Sequence, residues 1–180
     1  EGTAILCTGA SLDRNMDLVV AETAYICRLF ASRRPASPGL AAALDICGAR
    51  YALFGPDGEP WELPLDENGL PRWNKLPREK CALWVAGGVT DPLLKTLARR
   101  GAPVTLASAD ATHILAGRNV LELFTRTGGE LAVRRELSIA AVGANPWSAY
   151  GWHFQPQAFE DALRQVVTLP VVNVNVKEER

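Results

Sequence analysis

The sequence predicts an α/β fold: a three-layer, Rossmann-like arrangement in which a mostly parallel sheet with a mixed edge carries helices on both faces. Short apolar runs typical of buried strands alternate along the 180 residues with segments of helical periodicity. Turn-forming glycine and proline residues separate these segments. Hydrophobic residues make up 48% of the chain and charged residues 22%, a balance that excludes a disordered or fibrous protein.

The N-terminal part of the chain predicts one strand and two helices. Residues 3–7 form an apolar run that ends at Gly9, and Asp13 is a candidate N-cap for the long amphipathic helix that follows. A second, shorter helix is predicted over residues 40–47, with Gly48 as its C-terminal glycine.

The next segment predicts a hairpin and a long loop. Residues 51–54 and 61–63 are short β-forming runs on either side of a Gly-Pro-Asp-Gly turn. Residues 64–80 contain three prolines and many polar side chains, which is typical of a surface loop. We expect residues 1–180 to form one domain, and any sub-division of it to lie near 64–80.

The central segment predicts a strand, a helix and a second strand. The apolar run 81–86 ends at Gly87 and Gly88, and a helix begins near Asp91, which precedes a first-turn proline. Gly101 terminates that helix, and the strand 104–107 follows it.

The C-terminal part predicts two helices and three strands. A helix over 118–126 precedes strands at 131–133 and 138–142, and Pro156 opens the last helix. In the final strand, 171–176, valines alternate with asparagines, which predicts one dry face carrying the valines and one wet face.

Residues 4–13 and 82–91 share alanine, glycine and aspartate at matching positions. Both segments read as a strand, a glycine turn and the start of a helix. A duplication that produced two similar α/β halves would explain the match. The alternative is that two independent junctions use the same turn chemistry, because strand-to-helix turns need the same residue types.

Charge and hydropathy exclude two classes of partner. The formal net charge is -1, and basic residues occur in no run longer than a pair, so we expect no nucleic-acid binding. No apolar stretch is long enough to cross a bilayer, and the N-terminus lacks the pattern of a signal peptide. We therefore expect a cytoplasmic protein without membrane contact, and the start at Glu1 suggests a fragment of a longer protein.

The four cysteines lie in apolar segments without C-x-x-C spacing, so we expect buried free thiols. No His or Cys spacing predicts a metal site, and no motif identifies a cofactor.

Ligands of parallel α/β sheets bind at the carboxyl ends of the strands, so the loops there contain the candidate site. Gly87 and Gly88 are candidate phosphate-binding residues because glycines allow close backbone approach. The alternative is an ordinary turn and helix cap, since an aspartate at the helix entrance repels a phosphate. Further candidate ligand-binding residues are Gly9, Asp13, Thr90, Asp91, Ser108, Thr112 and Asn145.

The segment after the strand 104–107 contains Ser108, Asp110, Thr112 and His113. His113 as general acid or base, oriented by Asp110, would support hydrolase or transferase chemistry. In the alternative interpretation, Asp110 caps a short helical turn and His113 is a half-buried histidine bonded to a backbone carbonyl.

The loop 145–154 contains two tryptophans, a tyrosine, a phenylalanine and a histidine. Such aromatic residues can stack on a ligand ring, cover the core as a lid, or form an interface.

Three functions remain open. The first is binding of a small molecule, specifically a nucleotide or a phosphorylated metabolite, by an α/β domain of a larger protein. The second is catalysis by His113 and Asp110. The third is a non-catalytic homo-oligomerisation or interaction domain, in which the strand 171–176 pairs across a dimer or with a neighbouring domain.

Overall fold

The computed structural model describes residues 2–30, 35 and 37–174, and the chain forms two compact units. The first unit comprises Glu1–Ala31 and Leu137–Arg180, and the second comprises Ser32–Glu136. In chain order the elements are β1 (Gly2–Gly9), α1 (Met16–Phe30), α2 (Pro38–Ile46), β2 (Tyr51–Phe54), β3 (Pro60–Trp61), β4 (Cys81–Val85), β5 (Val89–Thr90), α3 (Asp91–Arg99), β6 (Val104–Ser108), β7 (Ile114–Leu115), α4 (Arg118–Arg126), β8 (Gly129–Val133), β9 (Leu137–Asn145), α5 (Pro156–Val166) and β10 (Val171–Asn173).

Helices and multi-strand sheets alternate along the chain, so the predicted mixed α/β class is confirmed. The described strands form three sheets, whereas the sequence pattern predicts one mostly parallel sheet. β1, β9 and β10 form a parallel sheet in the order β1-β9-β10. In the second unit the order is β3-β2-β4-β6-β8, and the β2–β3 hairpin is antiparallel to its neighbour β4. β5 and β7 form a separate parallel pair. The three-layer, Rossmann-like arrangement stays a prediction.

The loop 64–80 lies inside the second unit and does not separate the two units. A bridge between Leu65 and Pro71 closes it on itself, and the Arg72 amide donates to the Pro64 carbonyl at 2.8 Å. Leu76 of the same loop is buried. Local pairing and a buried leucine thus hold this proline-rich stretch in the second unit, and a sub-division near 64–80 stays a prediction.

The core of the first unit packs α1 and α5 against one face of its sheet. Its buried side chains include Val19 and Val20 from α1, Phe159 from α5, and Val142 from β9. Asn15 caps α1, since its side-chain oxygen accepts the amides of residues 17 and 18 at 3.0 and 3.3 Å. The predicted N-cap, Asp13, instead accepts the amide of Asn15 at 2.8 Å, in a turn that precedes the helix.

The core of the second unit centres on β4, whose five residues are all buried. Side chains that alternate along the strand point to opposite faces, so both faces of β4 are covered. Ala82 and Trp84 pack against Leu40 and Leu44 of α2. The Trp84 indole N–H donates to the Ala49 carbonyl at 2.8 Å, which satisfies the polar end of a buried ring.

Glycine helix ends follow the sequence prediction in only some cases. Gly101 has a φ of 65° and ends α3 as predicted. After α2 the C-cap is Cys47, in an extended conformation, and Gly48 has no positive φ. The prediction that Gly48 closes α2 is wrong, because the chain leaves this helix without a left-handed residue.

The valines of β10 lie on the face opposite to the predicted one. Val171 is buried and lies beside Val142 of β9, whereas Val172 and Val174 are exposed. The Asn173 amide donates to Glu160 of α5 at 3.0 Å. Because Val171 faces the core, its neighbour Val172 faces outward. Residues 175 and 176 lie outside the described residues, and pairing through 171–176 stays a prediction.

Among the described residues, no helix combines the length and the apolar character that crossing a membrane requires.

Candidate functional site

The carboxyl end of β6 presents a compact polar cluster. After β6 ends at Ser108, a 3-10 turn over Ala111–His113 leads into β7. Asp110 caps this turn: its Oδ1 accepts the Thr112 amide at 3.0 Å and the Thr112 hydroxyl at 2.5 Å. The same oxygen lies 3.0 Å from Nδ1 of His113. One carboxylate therefore orders both the turn and the imidazole.

Asp110 is buried, with a relative exposure of 6%. Burial by itself raises the pKa of this carboxyl, but the hydrogen bonds from Thr112 and His113 outweigh that effect and leave the pKa of Asp110 below its ordinary value. Arg135 adds a weak contact, since its Nη2 lies 3.5 Å from Oδ2 and its side chain is mostly exposed. Asp110 is therefore an ionised acceptor at neutral pH.

His113 is held at one nitrogen and partly open to solvent, with its side chain 35% exposed. The partner of Nδ1 is a carboxylate, not the backbone carbonyl of the alternative interpretation. A neutral ring that keeps its proton on Nδ1 for Asp110 presents Nε2 as a proton acceptor. In a catalytic triad a carboxylate orients the histidine in the same way.

Ser108 and Thr112 contribute to the structure of the cluster. Ser108 is buried, and its hydroxyl donates to the Asp110 carbonyl at 3.1 Å, so it closes the turn and is not placed as an exposed nucleophile. Thr112 directs its hydroxyl to the carboxylate of Asp110. Both residues therefore hold Asp110 in position.

The loop after β4 is shaped by packing and by a helix-to-helix contact. A Cβ on Gly88 would lie 2.8 Å from Leu115, so the glycine allows β5 and β7 to pair, whereas Gly87 faces open space. Thr90 is the N-cap residue of α3 without a side-chain hydrogen bond. Asp91 Oδ1 accepts the Gly117 amide at 2.8 Å, where α4 begins.

This position of Asp91 bears on the predicted phosphate site. Its carboxylate lies at the starts of both α3 and α4 and pairs with Lys95 at 3.7 Å. This carboxylate lies at the positive ends of two helix dipoles, and it accepts the hydrogen bond of an amide that a phosphate would otherwise bind. The geometry therefore favours the alternative of a turn and cap for Gly87, Gly88 and Asp91.

The remaining candidates belong to the first unit. A Cβ on Gly9 would lie 2.0 Å from the Asn145 carbonyl oxygen, so only glycine lets the ends of β1 and β9 approach so closely. Asn145 Oδ1 accepts the Trp147 amide at 3.0 Å. Gly9 and Asn145 are thus brought together, and exposed Asp13 follows in the next turn.

The aromatic loop 145–154 is anchored at one residue and exposed at others. The Trp152 indole N–H donates to the Ala10 carbonyl at 2.8 Å, and Arg14 lies 4.4 Å above its ring. Tyr150 stacks on Trp152 but is 73% exposed. Trp147 stacks on His153 across a β-bridge at a centroid distance of 4.6 Å. Trp152 therefore packs, and Tyr150 and Trp147 form an exposed aromatic surface.

A cavity of about 660 Å³ lies in the second unit, and sequence reasoning missed it. It is at the amino ends of β4, β6 and β8, opposite to the edge at which the sequence rule places ligands. Thr105 and Glu130, polar residues near the starts of apolar strands, were the available signal. We call it the amino-end cavity; it is lined by Pro35, Ser37, Leu40, Pro56, Asp57, Lys80, Cys81, Ala82, Thr105, Thr125, Gly129, Glu130, Leu131 and Ala132.

The four cysteines are free thiols, but they are not all buried. Cys81 is buried, Cys27 and Cys47 are half-buried, and Cys7 is exposed, which contradicts the prediction for that residue. Cys7 lies on the face of β1 opposite to the helices, and the sequence pattern alone did not distinguish the two faces. Within residues 2–30, 35 and 37–174, no three His, Cys, Asp or Glu side chains form a group that could hold a metal ion.

Comparisons of the chain with protein-family models, curated proteins and solved structures found no match.

Proposed function

We propose that this chain is a small-molecule-binding α/β protein and that the ligand occupies the amino-end cavity. The volume of about 660 Å³ is the observation that carries the proposal. Binding sites for small organic molecules commonly fall between about 300 and 1,000 Å³ and combine apolar walls with a few polar groups. The cavity has this composition.

The walls of the cavity separate apolar and polar groups. Leu40, Ala82 and Ala132 belong to one buried hydrophobic cluster and supply apolar wall. The polar wall includes Lys80 and Glu130, which lie at the surface. A ligand can therefore bury a hydrophobic portion and keep a polar portion at the opening.

Binding of a nucleotide or a phosphorylated metabolite by the loop that carries Gly87 and Gly88 stays a prediction. The Rossmann-like arrangement of the parallel strands stays a prediction as well. Lys95, which pairs with Asp91 at 3.7 Å, supplies a positive charge beside this loop. The carboxylate of Asp91 at the helix starts weighs against this ligand class, so the cavity is the better-supported site.

Blocking the cavity tests the proposal. Thr125 lines the cavity from α4 and is exposed, so Thr125→Trp narrows the cavity without filling the core. Thr96 of α3 is the matched control, because it too bonds its hydroxyl to the carbonyl four residues earlier but does not line the cavity. We expect compounds from a fragment library to raise the melting temperature of the wild type and of Thr96→Trp, and not that of Thr125→Trp. Equal shifts in all three proteins would refute the cavity as the site.

A second candidate function is acid–base catalysis by His113 and Asp110. The contact of 3.0 Å between Nδ1 and a buried carboxylate favours it, because an oriented imidazole is a common general base. Hydrolysis of p-nitrophenyl esters and phosphates is the test. Loss of turnover in His113→Gln but not in His153→Gln is the expected result, and equal rates in both variants would contradict it.

A further inference from the structure

The polar wall of the amino-end cavity presents charges of both signs. Lys80 Nζ lies 3.2 Å from Glu130 Oε1, and the Thr105 hydroxyl donates to Glu130 Oε2 at 3.0 Å. Elsewhere on the wall, the Ser37 hydroxyl donates to Asp57 Oδ1 at 3.3 Å. A ligand at this wall therefore meets one ammonium and two carboxylates.

Lys80 and Glu130 can separate and each bind a charged group of a ligand at little cost in folding free energy. Both side chains are more than half exposed, at 52% and 59%, and exposed ion pairs contribute little to folding stability. A ligand that carries both charges can replace each partner of this pair, and no charge is then left without its counterpart. A ligand with one charge replaces only one partner of the pair and therefore gains only one charged hydrogen bond.

The excess of carboxylates over ammonium groups on this wall also limits the classes of ligand that can bind. A phosphate or dicarboxylate would bring two negative charges beside Asp57 and Glu130, and like charges repel. A purely apolar ligand would cover these groups without bonding to them. Leu40 supplies apolar wall for the uncharged part of a ligand.

We propose that the amino-end cavity binds an aminocarboxylate, that is, an amino acid or a short peptide with an apolar side chain. This inference rests on the proposed function. The carboxylate of the ligand pairs with Lys80, its ammonium pairs with Glu130 and Asp57, and its apolar side chain packs on Leu40.

Calorimetry with leucine and leucyl-leucine tests this inference against analogues that lack one charge. N-acetyl-leucine lacks the ammonium and leucinamide lacks the carboxylate. We expect at least one of the two zwitterions to bind about tenfold more tightly than either analogue, which corresponds to one lost ion pair or charged hydrogen bond.

Two variants test which residue binds each charged group of the ligand. Lys80→Met is expected to remove the preference for leucine over leucinamide, and Glu130→Gln the preference for leucine over N-acetyl-leucine. Lys95→Met and Glu122→Gln are the matched controls, because each removes one member of an exposed ion pair whose residues do not line the cavity. Both controls should retain the two preferences.

The outcomes separate this inference from the proposed function. Binding of neutral fragments that Thr125→Trp abolishes, together with no advantage for the zwitterions, would overturn the aminocarboxylate and leave the small-molecule site in place. Absence of binding by every fragment and every zwitterion would overturn both. Zwitterion binding that persists in Lys80→Met and Glu130→Gln with unchanged preferences would overturn the assignment to this wall.

Discussion

Oδ1 of Asp110 accepts hydrogen bonds from the backbone and hydroxyl of Thr112 and lies 3.0 Å from Nδ1 of His113. The carboxylate thus links the fold of the turn to the orientation of the imidazole. Anything that neutralises the carboxylate should loosen both.

Acid should destabilise the protein through Asp110. Its pKa is lowered in the folded state, so its contribution is present above the unfolded value of about 4 and is lost as the pH falls through the folded value. We expect Asp110→Asn to lose about 1–3 kcal/mol of unfolding free energy at pH 7, because the amide replaces a charged acceptor. Urea denaturation at pH 7 and at pH 3 measures this. A difference between wild type and variant that does not shrink at pH 3 would contradict the assignment.

A methyl group at Gly9 should destabilise the first unit. The Cβ of Gly9→Ala would meet the Asn145 carbonyl, and β1 and β9 would have to separate. We expect a loss of about 1–3 kcal/mol in chemical denaturation. Gly48→Ala is the control, since this exposed glycine has open space around it and no positive φ. Its unfolding free energy should be unchanged or slightly higher.

Asn15, not Asp13, should control the start of α1. Removal of an N-cap side chain costs about 0.5–2 kcal/mol, so Asn15→Ala should lower the thermal stability more than Asp13→Ala. Far-ultraviolet circular dichroism during heating gives both melting temperatures. The reverse order would show that the turn at Asp13 initiates the helix.

The cysteines should differ in their reaction with a thiol reagent at neutral pH. Cys7 is exposed and should be modified first. Cys81 should react slowly, because burial both excludes the reagent and raises the pKa of its thiol, despite a nearby Arg100 that lowers it. Mass spectrometry of peptides after timed alkylation with iodoacetamide measures the order. Faster modification of Cys81 than of Cys7 would show that the cavity opens in solution.

Local patterns in the sequence predicted most elements but not their partners. The helix at Arg118–Arg126 has the predicted bounds, since its apolar residues recur at helical spacing before the glycines that follow it. The predicted orientation of β10 was wrong because a strand with alternating residues can turn either face to the core, and the pairing with the neighbouring strand decides which face that is.

In the candidate sites, too, contacts between neighbours in the sequence could be predicted and contacts between distant segments could not. Asp110 and His113 lie three residues apart, so their contact could be predicted from sequence. The amino-end cavity could not, because Ser37, Lys80 and Glu130 come together only through the pairing of β4, β6 and β8 and the position of α2. A general rule about sheet edges directed attention to the opposite ends of those strands.

The pairing of β1 with β9 joins residues on either side of the second unit, which is synthesised between them. Among the described strands β1 pairs only with β9, so until residues 137–145 have emerged its backbone amides and carbonyls remain available to other unfinished chains. Closing so long a loop is also slow compared with the local contacts of the second unit. The first unit is therefore expected to assemble last, and its early strand is open to aggregation and to chaperones until then.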